Sequence, residues 1–106
     1  MNITTLPEEI VAKTISILMA QTEKGKLRWD KHGDESYTLN LDIGVFRLTK
    51  NYDKTIVLFA DYAVRETCLI AGIENQEELL RLYQLAYKQN PNVEDFLESF
   101  IKKFPD

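Results

Sequence analysis

Few side chains of this sequence have the chemistry of a metal ligand. The 106 residues include one histidine, His32, and one cysteine, Cys68, which lie far apart in the chain. A zinc site usually needs three or four His, Cys or carboxylate ligands. The sequence also has no Asp-rich loop with the spacing of an EF-hand. We therefore predict no metal site and no bound cofactor.

Catalytic motifs are missing as well. Cys68 stands next to Thr67 and Leu69 in an apolar stretch, which is typical of an inert cysteine buried in a strand. No serine lies in a Gly-x-Ser-x-Gly context. Carboxylate pairs such as Asp61 with Glu66 are better explained as solvated surface charge than as acid–base pairs. The sequence therefore favours a protein that is not an enzyme.

No phosphate-binding loop is present. The Gly25-Lys26 pair is shared with P-loops, but Ala20 stands where the upstream glycine is required and Leu27 where Ser or Thr is required. The four glycines of the chain are too far apart to form a Gly-x-Gly-x-x-Gly fingerprint. Nucleotide cofactors are therefore not indicated.

The segment over residues 24–32 alternates basic with apolar side chains and is the strongest candidate interaction site. If this segment is a strand, Trp29 lies beside Leu27 on the apolar face, which favours a core tryptophan over an exposed interface anchor. Lys26 and Arg28 then point away from the core and are best placed to meet an anionic partner. The candidate interaction residues here are Lys26, Arg28, Trp29 and His32.

The overall charge argues against nucleic acid as the main partner. The formal net charge is -4 at pH 7, whereas nucleic-acid binding rests on clustered Lys and Arg. Acidic residues crowd the C-terminal third, where Glu77 and Glu78 are candidates for contact with a basic surface. Two patches of opposite sign are expected.

The N-terminal part of the chain predicts a helix followed by a strand. Apolar residues at helical spacing predict a helix over residues 6–24, begun by a capping box of Thr5 with Glu8 and ended by Gly25. From Lys26 the apolar period changes to two, which predicts a half-buried strand.

The middle of the chain predicts further strands. Alternation over residues 37–43 and 45–49, on either side of Gly44, predicts two strands or one bent strand. Residues 55–60 are rich in β-branched and aromatic side chains and predict a central strand. Residues 61–71 stay open between a strand that closes a meander and a helix.

The C-terminal part predicts two helices. Asn75 with Glu78 would begin the first helix. Asn90-Pro91-Asn92 would end it and cap a second helix, whose apolar residues recur at helical spacing down to Phe104. The buried stripe predicted for the first helix consists of Leu79, Leu82, Tyr83 and Ala86, widened by Leu80 and Tyr87.

This order of elements predicts one α+β domain over residues 1–106: an N-terminal helix, an antiparallel meander of four or five strands, and two C-terminal helices packed on one face of the sheet. Strands and helices are segregated along the chain, which disfavours a parallel α/β fold. The other sheet face and at least one edge would stay uncovered. A homodimer through the sheet face or edge is therefore expected.

A resemblance supports this element order. The run Gln21-Thr22-Glu23-Lys24-Gly25-Lys26-Leu27-Arg28-Trp29 after a helix, a strand-rich middle and a C-terminal Leu79-Leu80-Arg81-Leu82-Tyr83 resemble small bacterial and phage proteins without an established function. The resemblance implies an origin in a microbe or a mobile element. It assigns a role to no residue.

The expected location is the cytoplasm. The residues after Met1 lack the basic and apolar regions of a secretory signal, and a lone cysteine suits a reducing compartment. The longest apolar runs are far shorter than the roughly 20 residues that cross a bilayer. No membrane association is expected.

Three functions remain open at this point. The favoured one is a non-enzymatic protein-interaction or regulatory module whose partner is another protein or a second copy of the chain. The first alternative is a small-ligand binder or enzyme with a pocket between sheet and helices, lined by aromatics such as Trp29, Tyr37 and Tyr83 plus Arg28 or His32. The second is a weak nucleic-acid binder that uses residues 24–32.

Overall fold

A computed structural model describes residues 6–104 of the chain. Within them the element order is helix, five strands, a short 3-10 helix and two helices, which confirms the predicted α+β class. The elements are α1 (Glu8–Glu23), β1 (Asp30–Lys31), β2 (Ser36–Leu41), β3 (Gly44–Lys50), β4 (Ile56–Ala63), β5 (Glu66–Ala71), the 3-10 turn Ile73–Asn75, α2 (Gln76–Gln89) and α3 (Val93–Lys103).

The strands form one antiparallel meander in the order β1-β2-β3-β4-β5. Period-two alternation decides which residues face the helices. Tyr37 pairs with Leu48, and Leu48 pairs with Leu58, so one row of buried side chains crosses three strands. The meander that was predicted for residues 37–60 is therefore confirmed.

Residues 61–71 belong to the sheet, so the helical alternative for this stretch is wrong. β4 runs to Ala63, the chain turns at Val64 and Arg65, and β5 returns antiparallel. Arg65 has a positive φ of 62°, the left-handed conformation that a tight turn between strands requires. Ladder hydrogen bonds to β4 outweigh the helical tolerance of the individual residues.

α1 ends as predicted, at a left-handed glycine. Gly25 has φ of 74°, its N–H donates to the Thr22 carbonyl, and the Lys26 N–H donates to the Gln21 carbonyl. This pair of bonds is a Schellman motif. At the other end α1 begins at Glu8 rather than residue 6, because Pro7 occupies the cap position. Thr5 of the predicted capping box lies outside the described residues.

The strand predicted from Lys26 exists, but its predicted start is wrong, because β1 contains only Asp30 and Lys31. Before it, the backbone of Leu27 and Trp29 hydrogen-bonds side chains of α2 instead of a strand. Gln89 accepts from the Trp29 N–H (2.8 Å) and donates to the Leu27 carbonyl (2.9 Å). Asn90 donates to the Trp29 carbonyl (2.7 Å). These amides take the place of a neighbouring strand.

The core lies between one face of the sheet and the helices α1 and α2. The predicted stripe of α2 is confirmed, since its buried residues are the four named above. The predicted widening by Leu80 and Tyr87 is wrong, because both side chains are close to half exposed. Both lie along one edge of the stripe.

α3 does not pack as expected. Its N-terminus is capped as predicted, with the Asn92 side chain accepting from the Asp95 N–H, but α3 buries none of its residues. Only α2 of the two C-terminal helices meets the expectation of packing on the sheet, because α1 and α2 together already fill the core face. The radius of gyration is 15.5 Å, which exceeds the roughly 13 Å of a compact chain of this length, and the long axis of the chain measures 61 Å.

Candidate interaction surfaces

The segment that carries Lys26 and Arg28 is held rigidly by side chains of α1 and α2. The amides of Gln89 and Asn90 fix its backbone from one side. From the other side, the Trp29 indole N–H donates to the Thr22 hydroxyl at 3.0 Å. Lys26 and Arg28 are exposed on this fixed loop.

Trp29 is a core residue. Its side chain is 2% exposed, and its one polar atom is satisfied by Thr22. The interface-anchor interpretation of Trp29 is therefore wrong, because an anchor needs a ring that a partner can reach. The core alternative is the one that the structure supports.

The remaining sequence candidates lie in two separate places. His32 is exposed in the turn between β1 and β2, near Lys26 and Arg28 in the chain. Glu77 and Glu78 are exposed in the first turn of α2, whereas Gln89 ends that helix. At 1.5 Å per residue this separates the acidic pair from the basic loop by roughly 20 Å. The five exposed candidates therefore lie in two separate places, a basic loop and an acidic helix turn, and do not form one site.

The basic patch lacks an exposed aromatic residue. Lys24, Lys26, Arg28 and Lys31 are all exposed, but Asp30 stands among them and the only aromatic of the segment is buried. Binding of single-stranded nucleic acid usually combines basic residues with stacking aromatics. This patch could therefore attract phosphate groups by charge, but it has no exposed ring on which a base could stack.

The uncovered face of the sheet carries a polar cluster that the sequence did not single out. Arg47 lies on β3 with its guanidinium 5.1 Å from the Phe59 ring centroid and 3.9 Å from the Asp61 carboxylate. Its Nε is buried without a hydrogen-bond partner, and Thr67 donates to Asp61. The sequence signal for this cluster was an arginine between Phe46 and Leu48 in a strand of alternating pattern, which places its side chain on the face opposite the core. The cluster is half exposed and largely paired within itself.

Two tyrosines pack edge to face where β2 meets α2. The rings of Tyr37 and Tyr83 are 5.2 Å apart at 75°, and the Tyr83 hydroxyl donates to Glu35 (3.2 Å). Burial raises the pKa of both hydroxyls, and the Glu35 carboxylate raises it further. Neither tyrosine is therefore suited to act as a base near neutral pH.

Cavities lie away from these aromatics. One groove of about 820 Å³ runs between the N-terminal turns of α1 and the free edge of β5, and another of about 290 Å³ lies between α1 and α2. The predicted pocket residues Trp29, Tyr37, Tyr83, Arg28 and His32 line neither cavity.

The two residues that could have been soft metal ligands, His32 and Cys68, lie in different parts of the structure. His32 lies in an exposed turn and Cys68 is half-buried on β5. Over residues 6–104, no three His, Cys, Asp or Glu side chains are grouped so that they could hold a metal ion.

α3 carries more exposed large apolar side chains than any other described element. Five side chains of α3 and the side chain of its C-cap, Phe104, are between 49% and 73% exposed. The five on the helix are Val93, Phe96, Leu97, Phe100 and Ile101. Their spacing places them on one side of the helix, over an arc of about 140°. The sequence shows this periodicity, which predicted that the face would be buried against the sheet.

Comparison with known proteins gives no relative. The chain matches no protein-family model, no curated protein and no solved structure. None of the described helices has the length and apolar character that crossing a membrane requires.

Proposed function

We propose that this chain is a non-enzymatic protein-interaction module that binds its partner through the apolar face of α3. We define this face as the six residues Val93, Phe96, Leu97, Phe100, Ile101 and Phe104. The observation that carries the proposal is their exposure on a helix that buries nothing.

The amount of exposed apolar surface supports binding. An aromatic side chain has roughly 150–250 Å² of surface, so three half-exposed phenylalanines with Val93, Leu97 and Ile101 present on the order of 600 Å². The largest apolar patch on a typical monomer is about 300–600 Å² and is often functional. The apolar face of α3 is at the upper end of that range.

The attachment of α3 also supports a docking role. Asn92 caps the helix, and the Tyr87 hydroxyl of α2 donates to Asp95 at 2.8 Å. The helix is thus fixed at its N-terminus while its apolar face stays free. A preorganised helix costs less ordering entropy on binding than an unfolded segment.

The two alternative functions have weaker support. The aromatics expected to line a ligand pocket are core residues, and the basic loop has no exposed ring for stacking on bases. The ligand-pocket alternative therefore loses the aromatics that favoured it, whereas the nucleic-acid alternative keeps its exposed basic residues but has no exposed ring beside them.

Photocrosslinking in cells of the native host tests the proposal. Phe96 is replaced by the photoreactive residue benzoylphenylalanine in the full chain, and the matched control carries it at Tyr52, a fully exposed aromatic in the β3–β4 turn. We expect a discrete protein adduct from position 96 that is lost when Phe100→Glu is added, and none from position 52. No adduct at position 96, or an equal adduct at both positions, would contradict the proposed function.

A further inference from the structure

We infer that the partner of the apolar face of α3 is the same helix of a second copy, packed antiparallel in a symmetric dimer. This inference rests on the proposed function, since it names the occupant of the same face.

The area fits a pair of these helices. If each copy contributes on the order of 600 Å², the dimer buries about 1,200 Å² in total, which reaches the lower end of specific protein interfaces. In a symmetric dimer the same patch serves both copies, so one apolar stripe satisfies both. α3 buries none of its residues and contributes none to the core cluster. Its apolar face is therefore open to a second copy.

Charge along α3 selects the antiparallel orientation. The first turn carries Glu94 and Asp95, and the last turn carries Lys102 and Lys103. An antiparallel partner brings the acidic end of each helix beside the basic end of the other and also opposes the two helix dipoles. A parallel partner would bring like charges together.

The composition of the polar side disfavours a lipid surface as the occupant. Helices that lie on membranes usually carry Lys and Arg on the polar face. Here Glu94, Asp95 and Glu98 outnumber the two lysines.

Measurement of the molar mass of the full chain by sedimentation across a concentration series tests the inference. We expect the wild-type chain to form a dimer and Phe100→Glu to raise its dissociation constant by at least about 100-fold, because each dimer would bury two unpaired carboxylates. The matched control is Val64→Glu, which places the same charge on an exposed apolar residue of the β4–β5 turn. This control should dimerise like wild type.

Since Phe100 is exposed, Phe100→Glu should keep the wild-type far-UV circular dichroism, so that loss of the dimer is not loss of the fold. A wild-type chain that stays monomeric, or a dimer that survives Phe100→Glu, overturns the inference. If the monomer still gives an adduct with a different protein from position 96, the proposed function stands and only the identity of the partner is wrong. If position 96 gives no adduct either, both fail.

Disulfide formation tests the orientation. In a Cys68→Ser background, a chain with both Val93→Cys and Phe104→Cys should oxidise readily to a covalent dimer, because these positions face each other across an antiparallel pair. The chain with Val93→Cys alone should not, since the two copies of position 93 would be roughly 16 Å apart at 1.5 Å per residue, beyond the reach of a disulfide. Rapid oxidation of Val93→Cys alone would indicate a parallel pair and contradict the inference.

Discussion

Trp29 joins the basic loop to both helices through its ring and its backbone. The indole is buried beside α1, where Thr22 accepts its N–H. Its peptide N–H donates to Gln89 of α2, and its carbonyl accepts from Asn90, the C-cap of that helix. One residue thus fixes where Lys26 and Arg28 stand, although it takes no part in the surface that they form.

Tyr83 couples the stability of the fold to alkaline pH. Burial and the Glu35 carboxylate raise the pKa of its hydroxyl in the folded chain, whereas the unfolded chain ionises near pH 10. The neutral form is therefore favoured by folding. The resulting stabilisation is complete below about pH 10 and is lost as the pH rises above it.

We expect Tyr83→Phe to flatten the decline in the free energy of unfolding above pH 10. Phenylalanine cannot ionise, so one contribution of at most about 1.4 kcal/mol per pH unit disappears. At pH 7 the same change should cost about 0.5–1.5 kcal/mol, because the hydrogen bond to Glu35 is lost. Urea unfolding at pH 7, 10 and 11 measures both effects. Tyr52→Phe, at a fully exposed position, should match wild type, and an unchanged pH profile for Tyr83→Phe would contradict the assignment.

At the scale of elements, α2 organises the chain with a glutamine at each end. Gln76 accepts from the Ile56 N–H and donates to the Ile56 carbonyl (2.6 Å), which fixes the start of β4. Gln89 makes the corresponding pair of bonds to residues 27 and 29. In both places a side-chain amide pairs with backbone as a neighbouring strand would.

We expect Gln89→Ala to destabilise the fold by about 1–3 kcal/mol, because a part-buried N–H and carbonyl lose their partners. Amide hydrogen exchange should accelerate at Trp29 more than in β3. Gln84→Ala is the matched control, since Gln84 is an exposed glutamine of the same helix and such changes usually stay within about 0.5 kcal/mol. Equal effects of the two substitutions would show that the amide pairing contributes little.

Local patterns were sufficient to predict most elements but not the start of the sheet. The alternation of residues 37–49 and the stripe of α2 depend on neighbours within a few positions, and both were predicted. The segment before β1 alternates in the same way, yet its backbone partners are Gln89 and Asn90, about 60 residues away. No pattern within residues 24–32 specifies such distant partners.

At the scale of the whole molecule, apolar periodicity does not say what covers an apolar face. α2 and α3 both have amphipathic spacing, but only α2 has a place on the sheet, since α1 fills the space beside it. The sequence therefore predicted the residues of the α3 face and the helix that carries them. It could not predict their exposure, which depends on how much core surface the other elements leave free.

The antiparallel pair predicts a thermal stability that depends on protein concentration. A partner that binds the folded chain raises its apparent stability by mass action, so a hundredfold rise in concentration above the dissociation constant adds roughly 1.4 kcal/mol per chain and raises Tm by about 4–8 °C. Scanning calorimetry should detect this shift for wild type and for Val64→Glu. Phe100→Glu should unfold at one temperature over the whole range, since a monomer has no such dependence. A wild-type Tm that stays constant at concentrations where sedimentation finds dimers would contradict this prediction, because it would mean that dimerisation leaves the folded chain no more stable.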